Sequence, residues 1–305
     1  MELINNRYKI ESFLSIDNFD NYIVKDAMDK NNIKCMRIID GVKNKALVDF
    51  YMEEFIWIKN IRHRKILEIE AFGNVETINL KSTSVPLYYL ITDMQPETNL
   101  REIKDNLSFS EIIKILQELI WIIDFLHFRG FSYRYLDPSN IYYSQIDGLK
   151  LSSLTTAIEN DYGESMELYN DDFLAPSILI GKDRFNIKTD YYSLSMIMRY
   201  LLLDNYSKEN SFFYKEKFKL GKFQMNLLMD IIKSLKAAYI NHEKLSLLEI
   251  IHKLDKLTDE EFVHTFKEDR ERLYYNTKLI GRDKNLRFVK EIHDRIKKIT
   301  RILMD

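Results

Sequence analysis

The sequence predicts an α+β protein of two unequal lobes: a small β-rich N-terminal lobe with one helix, then a larger helical C-terminal lobe, then a helical extension. Three observations predict it. Short β-branched and aromatic runs, broken by Asp/Asn-rich turns, fill residues 7–40, 66–72 and 86–92, and such runs between turn residues read as strands. A single stretch of helical spacing, 44–61, interrupts them. From residue 108 onward the apolar residues recur at helical spacing and the strand-like runs stop.

Taken in order, Tyr8 and Ile10, then 22–24, then 33–39 form the first three strands, separated by turns at 17–21 and 26–32. Residues 44–61 place Leu47, Phe50, Tyr51, Phe55, Ile58 and Ile61 on one helix face. The clearest helix is 108–128. Ser108 and Glu111 fit a capping box, Ile112, Ile115, Leu116, Leu119, Ile122, Ile123 and Leu126 fill a broad stripe, and Gly130 sits at the C-cap. A loop-rich stretch is expected over 131–180, with helices at 189–203, 223–240 and 245–256. The tail, 257–305, ends in a helix with Leu286, Val289, Ile292, Ile296, Ile299 and Leu303 on one side. That helix is expected to pack on the body or a further domain, or to pair two copies; with Lys290, Arg295, Lys297, Lys298 and Arg301 on its other faces, the alternative is a basic amphipathic helix for membranes or nucleic acid. The boundaries expected are 1–93, 94–256 and 257–305.

Composition removes several function classes. Lys plus Arg is 45 and Asp plus Glu 47, a formal charge of −2, which argues against a nucleic-acid clamp or a polybasic membrane arm. One cysteine, Cys35, excludes a disulfide framework and a cysteine-based zinc site. Among six histidines no two have metal-ligand spacing with a carboxylate nearby, so no metal is expected. The eight glycines are too scattered for either the G-x-G-x-x-G turn or the G-x-x-x-x-G-K-[ST] loop. No apolar run approaches the roughly 20 residues of a membrane span. The N-terminus, MELINNRYKIE, lacks a signal-peptide layout. A cytoplasmic protein is expected.

One segment then carries a resemblance. After the long helix, Leu126-His127-Phe128-Arg129-Gly130-Phe131 leads into Tyr133-Arg134-Tyr135-Leu136-Asp137-Pro138-Ser139-Asn140. This resembles the H-R-D-L-K-P-x-N catalytic loop of eukaryotic-type (Ser/Thr) protein kinases. The likeness extends over residues 7–256 and implies a bilobal protein-kinase-like fold. Arg37, in Cys35-Met36-Arg37-Ile38-Ile39, stands where the family's V-A-I-K lysine stands, and Glu54 matches its helical partner; the two are expected to form a structural salt bridge tying strand to helix, or else a nucleotide anchor. His63 matches the histidine after that helix. Leu90-Ile91-Thr92-Asp93-Met94 resembles the inter-lobe hinge, with Thr92 guarding the back pocket. Ala175-Pro176-Ser177 resembles A-P-E without its Glu, Asp190 opens a D-x-x-S-x-G-like segment, and Lys244 aligns loosely with the late Arg that pairs with that Glu.

The resemblance also shows what is altered. Kinase chemistry is mostly positioning and charge neutralisation around Mg²⁺ and a triphosphate. Tyr135 occupies the place of the catalytic Asp, and a phenol with a pKa near about 10 is neutral at pH 7. Ser153 occupies the place of the D-F-G Asp, and a hydroxyl is a weaker Mg²⁺ ligand than a carboxylate. Asn140 alone survives as a metal ligand. Ser15-Ile16-Asp17-Asn18-Phe19-Asp20 replaces the glycine lid, and Asp137 replaces a phosphate-facing Lys. In the cleft, Arg37 is the cation, opposed by Glu54, Asp137 and Asp17 or Asp20. An alternative is that the alignment slips and Asp137 itself is the base. Arg134 pairs with a phosphorylated activation segment or bonds loop backbone.

These departures imply a pseudokinase: no catalytic residues, no Mg²⁺, doubtful ATP binding, and a regulatory function through protein partners or adjacent domains. Two alternatives stand beside it. One is an atypical kinase or other nucleotide transferase; the other is a metal-independent nucleotide sensor holding adenine at Asp93–Met94. Finally, residues 277–286, Thr-Lys-Leu-Ile-Gly-Arg-Asp-Lys-Asn-Leu, resemble the L-V-G-R-x-x-E-L opening of the P-loop ATPase module that follows kinase domains in some large bacterial signalling proteins. That resemblance implies the N-terminal part of a longer chain.

Overall fold

Strand alternation organises the N-terminal lobe. In β4 (Asn32–Asp40) Met36 and Ile38 face one side of the sheet and Cys35, Arg37 and Ile39 the other, and most of the strand is buried. The computed structural model describes residues 3–14, 20–30, 32–45, 48–49, 51–52, 55, 61, 63–78, 81–82, 86–94, 98–133, 136–152, 171–183, 185–208, 213 and 218–258. The chain divides into two compact units, Met1–Glu260 and Glu261–Asp305, and every described residue lies in the first. The expected tail helix therefore lies outside the described residues.

The main sheet runs in the order β5 (Ile69–Asn74), β8 (Leu87–Thr92), β4, β3 (Asp20–Asp26), β2 (Tyr8–Leu14), β1 (Leu3–Ile4), β6 (Thr77–Ile78), β7 (Lys81–Ser82). Its pairs are antiparallel. One face gathers Ile4, Tyr8, Val24, Met36, Val75 and Ile91 into a buried cluster, with Ile10, Tyr22, Ile38 and Tyr89 packed against it. The sheet curls because β6 follows β5 almost at once and yet pairs with β1. Asn5 fixes that closure. Its backbone is left-handed at φ 48°, a region Asn tolerates better than most residues. Its side-chain oxygen accepts from Glu76 N (2.8 Å) and Thr77 N (3.1 Å), and its amide donates to Asn74 O (2.7 Å).

Within the expected helix 44–61, the described residues 45, 48, 49, 51, 52 and 55 are helical. Val48 and Tyr51 are buried, and Tyr51 and Phe55 pack on Phe72 with ring centroids at 5.4 and 6.0 Å. The expected strand 66–72 starts later, at Ile69, because residues 65–67 bond elsewhere. Lys65 O accepts from Leu151 N (2.7 Å), and Leu67 N donates to Leu151 O (3.0 Å).

The C-terminal lobe contains α1 (Leu100–Ile103), α2 (Phe109–Phe128), the hairpin β9 (Ile141–Ser144) and β10 (Gly148–Leu151), α3 (Pro176–Leu179), α4 (Ile187–Leu202), α5 (Lys222–Ile240) and α6 (Leu247–Asp255). Helix α2 starts where the capping box places it: Ser108 Oγ accepts from Glu111 N and Glu111 Oε2 accepts from Ser108 N (2.9 Å). Its two buried polar residues have partners. Gln117 donates to Asp255 Oδ1 (2.8 Å), and Glu118 accepts from Leu149 N (2.8 Å) and pairs with Lys65 (3.2 Å). The β9–β10 hairpin corrects the expectation of a loop-rich 131–180. Its turn needs Gly148, which sits at φ 69°, where a Cβ would lie 2.6 Å from Lys65 Nζ.

Candidate functional site

The upper wall of the cleft is the sheet face opposite the N-lobe cluster. Register fixes its members: Asn21 lies across from Arg37, Ile23 across from Cys35, and Cys35 across from Thr92. Directly opposed residues share a face, so Arg37 and Thr92 are brought to one surface. Arg37 is 7% exposed, and its Nε donates to Asn21 Oδ1 at 3.2 Å, which is not the sole interaction of either residue. At the hinge, the Thr92 hydroxyl donates to Asp93 O (3.2 Å), and Asp93 N donates to Glu68 O (3.2 Å). Lys34 pairs with Glu70 and with Asp93 (3.5 Å). Burial would lower the Lys34 ammonium, but the two carboxylates outweigh it and hold it above its ordinary value. Met94 is exposed.

The lower wall is the turn after α2. Asp137 is 0% exposed and caps the 3₁₀ turn Pro138–Asn140, accepting from Ser139 N (2.8 Å) and Ser139 Oγ (2.6 Å). The same carboxylate takes a two-pronged clasp from Arg101 on α1, Nε at 3.1 Å and Nη2 at 2.7 Å. Fork-on-fork geometry of this kind is the strong form of a carboxylate pair. The sequence set Asp137 against Arg37 as an open negative charge. The structure corrects this, because Arg101 neutralises it, and nothing in the spacing of 101 and 137 announced the pairing. Asn140 lies in the same turn, its carbonyl accepting from Ser152 N (2.9 Å). The Tyr133 hydroxyl, fully buried, meets Ser152 Oγ at 3.0 Å.

Asp190, at the start of α4, holds this turn from behind. One of its oxygens accepts from Tyr133 N (2.8 Å) and meets His127 Nε2 (2.8 Å), and the carboxylate is wholly buried. Ser177 has a partner the sequence did not show. Tyr239 Oη accepts from Ser177 N (3.1 Å) and donates to Ser177 Oγ (2.9 Å). Lys244, the expected counterpart, is exposed. Two neutral groups 62 residues apart thus meet where the resemblance implies an ion pair.

A protein kinase domain model matches residues 22–263. The chain belongs to the protein kinase domain family. Two relatives are CBL-interacting serine/threonine-protein kinase 19 and CBL-interacting serine/threonine-protein kinase 12, both of Arabidopsis thaliana. They are 22% identical to it over 209 and 208 residues, in each case 66% of this chain and 41% of the relative. The chain spans about two fifths of the length of these curated relatives.

Within this kinase-family frame, Arg37, Thr92, Asp93 and Met94 line the sheet and hinge, and Asp137 and Asn140 share the turn below. Glu54, Arg134, Tyr135 and Ser153 lie outside the described residues, as do the segment 15–19 and the stretch 153–170. His63 is described and buried. Its ring packs on Trp121 (4.5 Å) and Phe125 (4.7 Å), its Nδ1 accepts from Lys65 N (3.1 Å), and its Nε2 has no hydrogen-bond partner among the described residues. Burial first, then the Arg64 and Lys65 charges, hold this imidazole down at about 3. Among the described residues no three His, Cys, Asp or Glu side chains gather as a metal site, and no helix is long and apolar enough to cross a membrane.

Proposed function

We propose that this kinase-family domain is catalytically inactive and acts as a regulatory, protein-interaction module. The observation that carries the reading is Asp137. A carboxylate stands where the resemblance puts a phosphate-facing cation, and it is wholly buried and bonded by Arg101 and Ser139. So held, it serves neither as a base nor as a metal ligand, because its oxygens already accept strong bonds. The remaining positions do not fit a Mg²⁺-bound triphosphate. Tyr135 and Ser153 replace two carboxylates, Asn140 alone keeps ligand character, and side chains replace the glycine lid. On this reading no step of phosphoryl transfer runs through the cleft.

The regulatory output would pass through protein partners or adjacent domains of the same polypeptide, in the cytoplasm, with no nucleic acid involved. The helix with Leu286, Val289, Ile292 and Ile296 on one face offers a route to a dimer. The likeness of 277–286 to an ATPase-module opening supports a larger bacterial signalling protein. A radiolabel autophosphorylation assay with Mg·ATP tests the central claim. No incorporation above the Arg37→Ala background is expected; clear incorporation that Arg37→Ala abolishes would overturn it.

A second reading, an active atypical Ser/Thr kinase, is favoured by the names of the two relatives. The same assay decides between them. A third, metal-independent nucleotide sensing at Asp93–Met94, predicts a thermal shift with ATP that Mg²⁺ does not change.

A further inference from the structure

A second junction between the lobes lies beside the hinge, and a buried ion pair sits at its centre. Residues 63–67 stand in the chain between the helical stretch 44–61 and β5, yet their bonds go to the C-terminal lobe. Ile66 pairs with Leu151 as a short parallel bridge, flanked by two backbone bonds in which Leu151 N donates to Lys65 O (2.7 Å) and Leu67 N to Leu151 O (3.0 Å). The His63 ring lies against Trp121 and Phe125 of α2. The Lys65 side chain, 12% exposed, donates from its ammonium to Asp147 O (2.9 Å) and pairs with Glu118 Oε2 (3.2 Å). That same carboxylate oxygen accepts from Leu149 N (2.8 Å). One carboxylate on α2 thereby ties the β9–β10 turn to a segment of the other lobe. The fit is close, for at Gly148 a Cβ would lie 2.6 Å from Lys65 Nζ and 3.0 Å from Glu118 Oε2.

We propose that Lys65 and Glu118 form an interlobe latch, which holds residues 63–67 at one setting on the hairpin and so fixes the twist of one lobe on the other. The latch is independent of whether the cleft transfers phosphate. A buried ion pair is a poor source of stability, because taking both charges out of water cancels most of their attraction. Its directed bonds nevertheless fit one arrangement, whereas apolar contact has no direction and tolerates sliding. The hinge is tied close by, where Asp93 N donates to Glu68 O (3.2 Å). Two attachments leave the lobes rotation about the line that joins them, and release of the latch frees twist as well. A latched domain presents both lobes to a protein partner as one rigid surface.

The test uses the full chain, spin-labelled through Met28→Cys and Phe223→Cys, positions that are 79% and 63% exposed on the two lobes; the native Cys35 is buried. Double electron–electron resonance reads the distance between the labels, and amide hydrogen exchange reads the junction. The decisive variant combines Lys65→Met with Glu118→Gln, which removes both charges and keeps an acceptor for Leu149 N. It should unfold near the wild-type denaturant midpoint, yet give a broader interlobe distance distribution. Leu67 and Leu151 should exchange at least about tenfold faster, the factor that one charged hydrogen bond is worth, while Leu149 keeps its protection. Lys65→Met alone, which strands the Glu118 charge, should lower the midpoint and loosen the same two amides. A wild-type distance distribution in the combined variant, or wild-type exchange at Leu67 and Leu151, would overturn the latch. So would a general loss of stability that speeds Leu149 equally, since the pair would then be an ordinary structural bond.

If the combined variant does not fold, exchange in the wild-type protein gives the answer. Leu67, Leu149 and Leu151 should open together with one shared protection factor, because the latch joins the bonds of all three. Opening of Leu67 and Leu151 at a rate distinct from that of Leu149 would sink the proposal.

Discussion

Replacing Arg101 with alanine is expected to destabilise the domain sharply, because it strands a buried charge. Asp137 is 0% exposed, and its partners include Arg101 Nε and Nη2 at 3.1 and 2.7 Å and Ser139 N and Oγ at 2.8 and 2.6 Å. Removing one partner of a fully buried ion pair costs about 3–5 kcal/mol. Here the Arg101 side chain is 42% exposed, so water replaces part of what it supplied. The discounted cost is about 2–3 kcal/mol, a fall of roughly 5–10 °C in Tm for a domain of this size.

Differential scanning calorimetry reads that fall, and a double-mutant cycle assigns it. Arg101→Ala combined with Asp137→Asn should recover much of the loss, since the charge left behind has gone. Asp137→Lys, which puts the family's cation back, should be worse than either single change, because a buried ammonium would face Arg101. It should also gain no nucleotide affinity. An unchanged Tm in Arg101→Ala, or strictly additive effects in the cycle, would refute the reasoning.

Three further outcomes are expected. Tyr239→Phe should remove both bonds to Ser177, costing about 1–2 kcal/mol by chemical denaturation; a loss near zero would mean water already satisfies Ser177. Asn5→Ala should speed amide exchange at Glu76 and Thr77, which donate to its side chain, and unchanged protection there would show that the sheet closes without it. His63 should give stability a pH slope. Its folded value of about 3 lies below the roughly 6.5 of an unfolded histidine. The unfolded chain therefore binds the extra proton, and the contribution is complete above about pH 6.5 and lost as pH falls toward 3. Between pH 7 and 5 this amounts to roughly 2 kcal/mol; His63→Phe should flatten that part of the wild-type slope, and identical slopes would count against it.

The long helix was the most legible element, because cap, stripe and C-cap glycine all agree on its ends. Ser108, Glu111 and Gly130 (φ 83°) act as the sequence suggests. The β9–β10 hairpin was missed although it carries a signal: Ile141-Tyr142-Tyr143, then Asp147-Gly148, then Leu149-Lys150-Leu151. The strands β1, β6 and β7 are two residues each, too short for periodicity to register. In the cleft, residue types and places could be read by resemblance, but partners could not. Arg101–Asp137, Asn21–Arg37 and Ser177–Tyr239 join residues 36, 16 and 62 apart, with no periodic spacing to link them. Such pairs exist only once the chain has folded, so no local pattern encodes them.

Those pairs share a physical logic. A buried polar group must find a partner or it costs more than the fold can readily absorb. When a charged position of the kinase frame changes, its counterpart must change with it or a new partner must be found. Ser177 meets a phenol instead of a guanidinium, Asp137 meets Arg101, and Arg37 meets an amide on the neighbouring strand. Asp190, whose task is to hold the backbone of Tyr133 and the ring of His127, keeps both bonds. Among the described residues, Asp190 holds the turn and Asp137 is paired within the chain. On the proposed inactive reading, a ligand reaching this turn must displace the bonds that Asp137 already makes, and the domain's partners are to be sought on its outer surfaces.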